Sequence, residues 1–159
     1  MRDDSGVQIE FRAIDATVPP ASELLAAMVD EMLALYAPDG LGISPASPAD
    51  FAPPGGTFLV GFAGDEPVCC GGLKPLGDGA AEIKRMYVVP AARGQGVARV
   101  LLRALEDAAR GLGYRIARLD TGPRQPHARG LYESEGYVAI GNFNSNPVAT
   151  FFGEKRLSG

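Results

Sequence analysis

The sequence predicts an α/β (α+β) fold with a mixed, mostly antiparallel central sheet, a β–α–β crossover and flanking helices. Three observations predict this class. Short runs alternate apolar and polar residues with the period of a strand. Glycine-containing turns, such as residues 64–66, join some of these runs directly, as in hairpins. Amphipathic segments with helical spacing separate the later runs, which gives the order β–α–β–β–β–α–β–α–β–β.

The first half of the chain supplies one helix and four strands. Residues 7–14 alternate apolar and polar side chains and predict the first strand. Ser22 is a candidate N-cap for a helix that runs to about Tyr36. Residues 37–56 are rich in proline and glycine, which predicts a long loop with one short helical turn at residues 47–50. Three further strands are predicted at residues 57–63, 67–74 and 81–89.

The second half alternates helices and strands and ends in a strand pair. Residues 96–110 have helical periodicity, and their charged side chains, Glu106 among them, are predicted to face solvent. A fifth strand is predicted at residues 114–120 and a further helix at residues 126–135. The last two strands are predicted at residues 137–143 and 148–155, around a turn at residues 145–147.

Length and composition limit the class of protein. A chain of 159 residues predicts a single domain over residues 1–159. The formal net charge of −4 argues against nucleic acid as the main partner, and no apolar run is long enough to span a bilayer. The N-terminal residues lack the apolar core of a signal peptide, so a cytoplasmic location is expected. Adjacent Cys69 and Cys70 are expected to be reduced thiols, and the single histidine argues against a metal site.

One loop carries the strongest functional signal. A β-rich run ends at Pro90, and the amphipathic helix begins directly after the segment Arg93-Gly94-Gln95-Gly96-Val97-Ala98. Glycines let backbone N–H groups approach a ligand closely, and a helix N-terminus adds partial positive charge. The segment therefore predicts a binding site for a phosphate or pyrophosphate group.

Two nucleotide-binding motifs compete for this loop. A Walker loop requires Lys-Ser or Lys-Thr after its last glycine, but Val97 and Ala98 follow Gly96. A dinucleotide-binding fingerprint requires a third glycine where this chain has Arg99. Asp120, at the end of the next strand, does mimic the acid that binds the ribose in such folds. A nicotinamide-dinucleotide enzyme therefore stays an alternative.

Two segments resemble a known family. Residues 93–98 match the (Arg/Gln)-x-x-Gly-x-(Gly/Ala) signature of the GNAT superfamily of acyl-CoA-dependent N-acyltransferases, and residues 81–90 are similar to the strand that precedes this signature. Residues 125–137 resemble the later Asn-x-x-Ala-x-x-Leu-Tyr-x-x-x-Gly-Phe segment of the family. The resemblance implies an N-acetyltransferase that moves the acetyl group of acetyl-CoA directly to a primary amine of a small molecule or peptide.

The resemblance also implies roles for individual residues. The amides of Arg93 to Ala98 would hold the pyrophosphate of the cofactor, the main chain of Met86, Tyr87 and Val88 would pair with its pantetheine arm, and Gln125 would contact that arm. Tyr132 matches the tyrosine that protonates the departing thiolate, and Glu82 matches a glutamate that serves as general base in some branches. Asp120 and a water molecule stay open as alternatives to Glu82. The cofactor-binding set is Met86, Tyr87, Val88, Arg93, Gly94, Gln95, Gly96, Val97, Ala98 and Gln125.

Two questions stay open. A catalytically silent acyl-CoA-binding sensor has the same binding motif as an enzyme. The amine acceptor is not fixed by any motif, and the resemblance implies only that the first helix, the loop after it and the last strands shape its site. By the same analogy a homodimer through the final strands is expected. Candidate acceptor-site residues are Glu31, Met32, Tyr36, Asp39, Asp50, Phe51, Phe143, Phe151 and Phe152.

Overall fold

A computed structural model describes residues 8–36 and 47–157 as a seven-stranded sheet with three α-helices. The predicted element order is confirmed. The strands are β1 Glu10–Ala13, β2 Thr57–Ala63, β3 Glu66–Gly77, β4 Ala80–Val88, β5 Ile116–Thr121, β6 Val138–Ala139 and β7 Phe151–Arg156. The helices are α1 Ala21–Tyr36, α2 Val97–Gly111 and α3 Pro126–Ser134.

The sheet has the strand order β1-β2-β3-β4-β5-β7-β6, and only β4 and β5 run parallel. Helix α2 connects these two strands, so they form the predicted β–α–β crossover. Their pairing covers three positions, from Ala80 with Ile116 to Glu82 with Arg118. Within the described residues, no strand pairs with the β5-facing edge of β4 after Glu82. The sheet therefore opens into a gap between β4 and β5.

A bulge bends β4 at the start of this gap. In the pairing with β3, Cys70 lies opposite Tyr87 but Gly72 lies opposite Lys84, so β4 contains one extra residue between these pairs. Arg85, inside the bulge, has φ of 62°, a left-handed conformation that is uncommon for residues other than glycine. The bulge interrupts the regular pairing at the point where β4 leaves β5.

The helices cover opposite faces of the sheet. Helix α1 packs against a cluster that includes Phe58, Val60 and Tyr87, whereas α2 packs its buried leucines against Leu73 and Ile83. Strand β4 therefore contributes to both apolar clusters, through Ile83 and Tyr87, whereas β5 contributes Ala117 and Leu119 to the cluster under α2. None of the described helices combines the length and apolar character needed to cross a membrane.

Several predicted boundaries are wrong. Helix α1 begins at Ala21, so Ser22 lies inside its first turn and its N–H donates to Val18 O instead of serving as the N-cap. Strand β6 covers two residues, and the strand predicted to begin at residue 148 begins at Phe151. The predicted turn after Ser47 is confirmed as a short 3-10 helix, Pro48–Phe51. The start of the predicted first strand and residues 37–46 of the predicted loop, including Asp39, lie outside the described residues.

Glu106 corrects the prediction for α2. The sequence predicts it on the exposed face, but only 2% of its surface is accessible. Its carboxylate accepts hydrogen bonds from the Tyr137 hydroxyl at 2.8 Å and from Lys155 Nζ at 3.0 Å. A buried carboxylate is tolerated here because a cation and a hydroxyl satisfy it. Helix α2 is therefore fixed to β7 by polar contacts as well as by its apolar stripe.

Candidate active site

A cavity occupies the gap between β4 and β5 and extends to both faces of the sheet. Side chains from α1 form one wall, and Tyr132 from α3 lies on the opposite side. Both edges of the gap contribute residues, together with the segment after β5 and the loop before β7. The lining residues are Met28, Met32, Tyr36, Ile83, Lys84, Arg85, Met86, Asp120, Thr121, Gly122, Gln125, Tyr132, Asn146, Val148 and Ala149.

The glycine loop lies between β4 and α2. Gly94 has φ of 79° and Gly96 has φ of 80°, so both positions require the left-handed conformation that glycine adopts without strain. In the part of the chain that the structure describes, none of the amides from Gly94 to Ala98 donates to another protein group. Gly96 directly precedes α2, so the first amides of the helix add to this set. The loop presents unbonded N–H groups at a positive helix end, as an anion site requires.

The end of β4 presents one further amide to the gap. The N–H of Val89 donates to Val68 O in β3 at 2.9 Å. Because successive residues of a strand direct their N–H and C=O groups to alternate edges, those of Val88 face the gap. The Val88 carbonyl accepts a hydrogen bond from Arg93 Nε at 2.9 Å. The Val88 N–H is therefore the backbone donor of β4 nearest to the glycine loop that faces the gap.

Arg93 is turned towards the strand and α1. Besides its contact with Val88, its guanidinium donates to Glu31 of α1 at 2.6 Å and lies 5.6 Å from the centre of the Tyr87 ring. An anion at the loop would therefore meet the backbone amides and a guanidinium that already has an acidic partner. These contacts tie the glycine loop to both α1 and β4.

Tyr132 places a phenol inside the cavity. It is a buried residue of α3, and its hydroxyl lies 3.8 Å from Met86 Sδ, a weak hydrogen-bond acceptor. Burial raises the pKa of Tyr132, and the negative charge of Asp120 acts in the same direction. The phenol therefore stays protonated at neutral pH. It can donate its proton to a group that enters between β4 and α3.

One amide brings the two candidate bases together. Asn144 Nδ2 donates to Glu82 Oε2 at 2.7 Å and to Asp120 Oδ2 at 2.6 Å. Asn146 Nδ2 also donates to Asp120 Oδ2, at 3.1 Å, and Lys84 Nζ donates to Glu82 at 3.3 Å. Glu82 is only 1% exposed and is absent from the cavity wall, whereas Asp120 forms part of that wall. Of the two carboxylates, Asp120 is the one that a bound molecule can reach.

Arg85 lies among these acidic groups. Burial lowers the pKa of the Arg85 guanidinium from its ordinary value, and the carboxylates of Glu82, Asp120 and Asp50 oppose this effect. Arg85 and Asp120 both line the cavity, so its wall carries a cation as well as a carboxylate.

Gln125 is the N-cap residue of α3, and its side chain accepts a hydrogen bond from the Tyr36 hydroxyl at 3.2 Å. A Cβ atom added to Gly122 would collide with the Tyr36 ring, so this glycine allows α1 to approach the segment after β5. Burial raises the pKa of Tyr36, and Arg124 opposes the shift. The contact closes the cavity between α1 and α3.

Other candidate chemistry lies outside the cavity. Cys69 and Cys70 are buried and unpaired, and burial raises the pKa of Cys69 to about 12, so its thiol is inert at neutral pH. His127 is exposed on α3. In residues 8–36 and 47–157, no cluster of three or more histidine, cysteine, aspartate or glutamate side chains could hold a metal ion.

The sequence profile of the acetyltransferase (GNAT) family matches residues 22–137, which is more than half of the chain. The chain belongs to the GNAT acetyltransferase family. As a member it is an acyltransferase that uses acyl-CoA, and the resemblance recognised in its motifs is confirmed. A curated relative, the IAA acetyltransferase of Azospirillum brasilense, is 36% identical over 104 residues, which cover 63% of this chain and 67% of the relative.

Solved GNAT structures share the fold along nearly the whole chain. A Klebsiella pneumoniae protein, described provisionally as an acyl-CoA N-acyltransferase, is 29% identical with a TM-score of 0.76, over 96% of this chain and 99% of that one. The PaiA N-acetyltransferase of Thermoplasma acidophilum, solved in complex with coenzyme A, is 18% identical with a TM-score of 0.70, over 94% and 99% of the two chains. These findings favour acyl-CoA over the dinucleotide alternative.

The polar residues that surround the two carboxylates are not predicted from the sequence. Asn146 lies in the predicted turn at residues 145–147 and Asn144 directly precedes that turn, and no site role is predicted for Arg85. The alternation of Asn142, Asn144 and Asn146 was the available signal. Asparagine at every second position favours side chain to backbone hydrogen bonds over a strand.

Proposed function

We propose that this GNAT protein transfers the acetyl group of acetyl-CoA directly to a primary amine of a small molecule or peptide. One observation carries the proposal. The unbonded amides of the glycine loop follow β4 along the chain, and residues of β4 line a cavity that also contains a phenol, Tyr132, and a carboxylate, Asp120. An anion site joined to an acid and a base is the set of groups that such a transfer requires.

Three parts of the chain bind the donor substrate in this proposal. The amides from Gly94 to Ala98 hold the pyrophosphate, whereas the Arg93 N–H, which the sequence also places in this set, already donates to Pro90 O at 3.3 Å. The main chain of Met86, Tyr87 and Val88 pairs with the pantetheine arm along the strand edge that β5 leaves unpaired. Gln125 contacts the same arm from the entrance to α3. Because β4 binds the arm through its main chain, the side chains of β4 stay available for the apolar core.

Acyl transfer then needs a base, an oxyanion donor and an acid. Asp120 accepts a proton from the amine, whose nitrogen attacks the thioester carbonyl carbon. The N–H of Val88 stabilises the negative charge that develops on the carbonyl oxygen. The carbon–sulfur bond breaks, and Tyr132 donates its proton to the sulfur. An alkylamine has a pKa of about 10.4 and is mostly protonated at neutral pH, so the base is essential.

We assign the direct contact with the amine to Asp120 because Glu82 lies behind the cavity wall. Glu82 stays part of the proton-accepting unit through Asn144, which donates to both carboxylates. Through Asn144, Glu82, the base implied by the family resemblance, is linked to Asp120, the carboxylate that contacts the reacting nitrogen.

An acceptor screen tests the function. The protein is mixed with acetyl-CoA and a panel of amines with and without a carboxylate, peptide N-termini and IAA, the compound for which the Azospirillum relative is named. Release of the CoA thiol is measured. We expect amine-dependent release for at least one amine. Saturable stabilisation by acetyl-CoA with no thiol release from any compound would instead support a binding module.

We also propose a cytoplasmic location. Cys69 and Cys70 are buried free thiols, as is usual in a reducing compartment. The donor substrate of the proposed reaction is expected in the same compartment. Expression of the natural gene product with a fluorescent tag, followed by fractionation of the cells, tests this assignment.

Replacement of Gly94 by alanine is expected to weaken acetyl-CoA binding about tenfold or more. A Cβ atom at Gly94 meets no protein atom within 4 Å, so any loss comes from the left-handed backbone and from the ligand. Left-handed alanine costs about 1–2 kcal/mol of backbone energy. The dissociation constant is measured by calorimetry.

Gly64→Ala is the matched control. Gly64 lies in the turn between β2 and β3, has φ of 63°, and also has open space around its Cα. Both variants should lower the free energy of unfolding by a similar amount, but only the Gly94 variant should bind acetyl-CoA more weakly. Equal affinity in the two variants would remove the glycine loop from the binding site.

A further inference from the structure

A single side-chain amide lies between two carboxylates beside the cavity. Asn144 Nδ2 is within 2.7 Å of Glu82 Oε2 and 2.6 Å of Asp120 Oδ2. An amide nitrogen carries two hydrogens, so Asn144 can donate one to each acid. The shared donor therefore holds the two acidic side chains in fixed positions relative to each other.

The loop before β7 holds Asn144 in this position through its own backbone. Asn142 Oδ1 accepts the N–H groups of Asn144 at 3.1 Å and Ser145 at 2.7 Å. Asn144 Oδ1 accepts the N–H of Asn146 at 3.0 Å, and Asn146 Oδ1 accepts the N–H of Val148 at 3.0 Å. Each asparagine thus fixes the turn with its oxygen, while the amide nitrogens of Asn144 and Asn146 remain for the carboxylates.

We propose that Asn144 is a positioning residue that ties the carboxylate of Asp120 to that of Glu82 and keeps Asp120 aimed at the cavity as a proton acceptor. The inference rests on the proposed function, because it assigns Asp120 the role of base. It adds a contribution from the loop before β7, a segment that carries no family motif in this sequence. Asn146 assists by donating to the same oxygen of Asp120.

Other charged groups face this pair and set the background for any pH effect. Lys84 of β4 donates to Glu82, and Lys74 of β3 lies opposite Glu82 in the sheet. Arg85 of β4 lies close to both acids, Arg118 of β5 is paired with Glu154 of β7, and the charge of Asp120 acts on Tyr132 of α3. All of these groups stay in place when Asn144 alone is changed.

The matched pair Asn144→Asp and Asn142→Asp tests the proposal. In both variants the side-chain oxygen that accepts the loop N–H groups is retained, and both add one negative charge to the same loop. Only the first removes the donor shared by Glu82 and Asp120. Asn144→Ala removes the same donor without adding a charge, and it serves if the aspartate variant does not fold.

The first readout is the carboxyl carbon signal of Asp120 in ¹³C NMR, titrated with pH in the protein without substrates and assigned with the Asp120→Asn variant. We expect its midpoint in Asn144→Asp to lie about one pH unit or more above that of Asn142→Asp. A smaller upward change is expected for Asn144→Ala. Identical midpoints in Asn144→Asp and Asn142→Asp would overturn the proposal.

The second readout is the pH profile of kcat/KM for an amine from the acceptor screen. The acid limb should move to higher pH in Asn144→Asp and stay in place in Asn142→Asp, with KM for acetyl-CoA unchanged in both. An equal loss of rate at every pH, with no movement of the limb, would reduce Asn144 to a structural role. Because the NMR titration needs no acceptor, it distinguishes failure of this inference from failure of the proposed function.

Discussion

Replacement of Tyr132 by phenylalanine is expected to lower kcat by about 10²–10⁴-fold, the usual contribution of a positioned acid. The hydroxyl makes only a 3.8 Å contact with the Met86 thioether, so its removal leaves no strong hydrogen bond unsatisfied in the protein. The ring, which packs 6.1 Å from that of Tyr137, is retained. The loss should therefore affect the departure of the thiolate and leave the acetyl-CoA dissociation constant nearly unchanged.

Tyr137→Phe is the control from the neighbouring ring. The Tyr137 hydroxyl donates to Glu106 at 2.8 Å, and this buried carboxylate would keep only Lys155 as a partner. The free energy of unfolding should fall by about 1–3 kcal/mol, with kcat within a few-fold of the wild type. The Tyr132 variant should therefore lose rate and keep its stability, whereas the Tyr137 variant should lose stability and keep its rate. A wild-type kcat in Tyr132→Phe would show that the thiolate leaves without this phenol.

The second large effect is expected when the base is removed. Asp120→Asn should lower kcat/KM for the amine at neutral pH by about 10²-fold or more, because the amine must then lose its proton without help. The rate of this variant should rise as the pH approaches the amine pKa of about 10.4, since the fraction of neutral amine rises with it. The measurement is the rate of CoA release between pH 6 and about 10.

Glu82→Gln is the companion variant. Glu82 is buried behind Asp120 and accepts hydrogen bonds from Lys84 and Asn144. Its replacement should lower kcat/KM less than that of Asp120, because it acts through Asn144 and does not contact the amine. If the Glu82 variant loses more activity at equal stability, the base role belongs to Glu82, as the family resemblance alone implies.

Much of the fold could be predicted because its signals are local. Strand β2 matches its predicted bounds, and α2, with its regular apolar spacing, was placed within one residue at each end. The glycine loop was recognised because positive φ at Gly94 and Gly96 limits the choice of residue. Each of these features is determined by residues that are close together in the chain.

The errors arose where distant residues decide the structure. Glu106 occupies a position that helical periodicity places on the exposed face, but Tyr137 and Lys155 bring it a hydroxyl and a cation from other elements. Periodicity carries no information about such partners. The strand predicted to begin at residue 148 was shortened because the preceding asparagines bind the backbone N–H groups that a strand would have used.

The candidate site also contains some features that are predictable from local sequence and others that depend on distant residues. Tyr132, Asp120 and the glycine loop could be proposed from motifs and from their order along the chain. The bridge through Asn144 could not, because Glu82 and Asn144 are 62 positions apart in the sequence and meet only when β4 and the loop before β7 fold together. The left-handed backbone of Arg85 was equally hidden, since arginine has no preference for that conformation.

The short contact between β4 and β5 has a consequence for the lifetime of the protein. Where the two strands separate, the main chain of β4 has an unpaired edge that a ligand can occupy in place of a strand. We expect acyl-CoA itself to bind along this edge. A free acyl-CoA concentration of about 100 times the dissociation constant would add about 2.7 kcal/mol to the free energy of unfolding. Starvation that depletes acyl-CoA would then also lower the amount of enzyme, because proteases degrade the unfolded molecules.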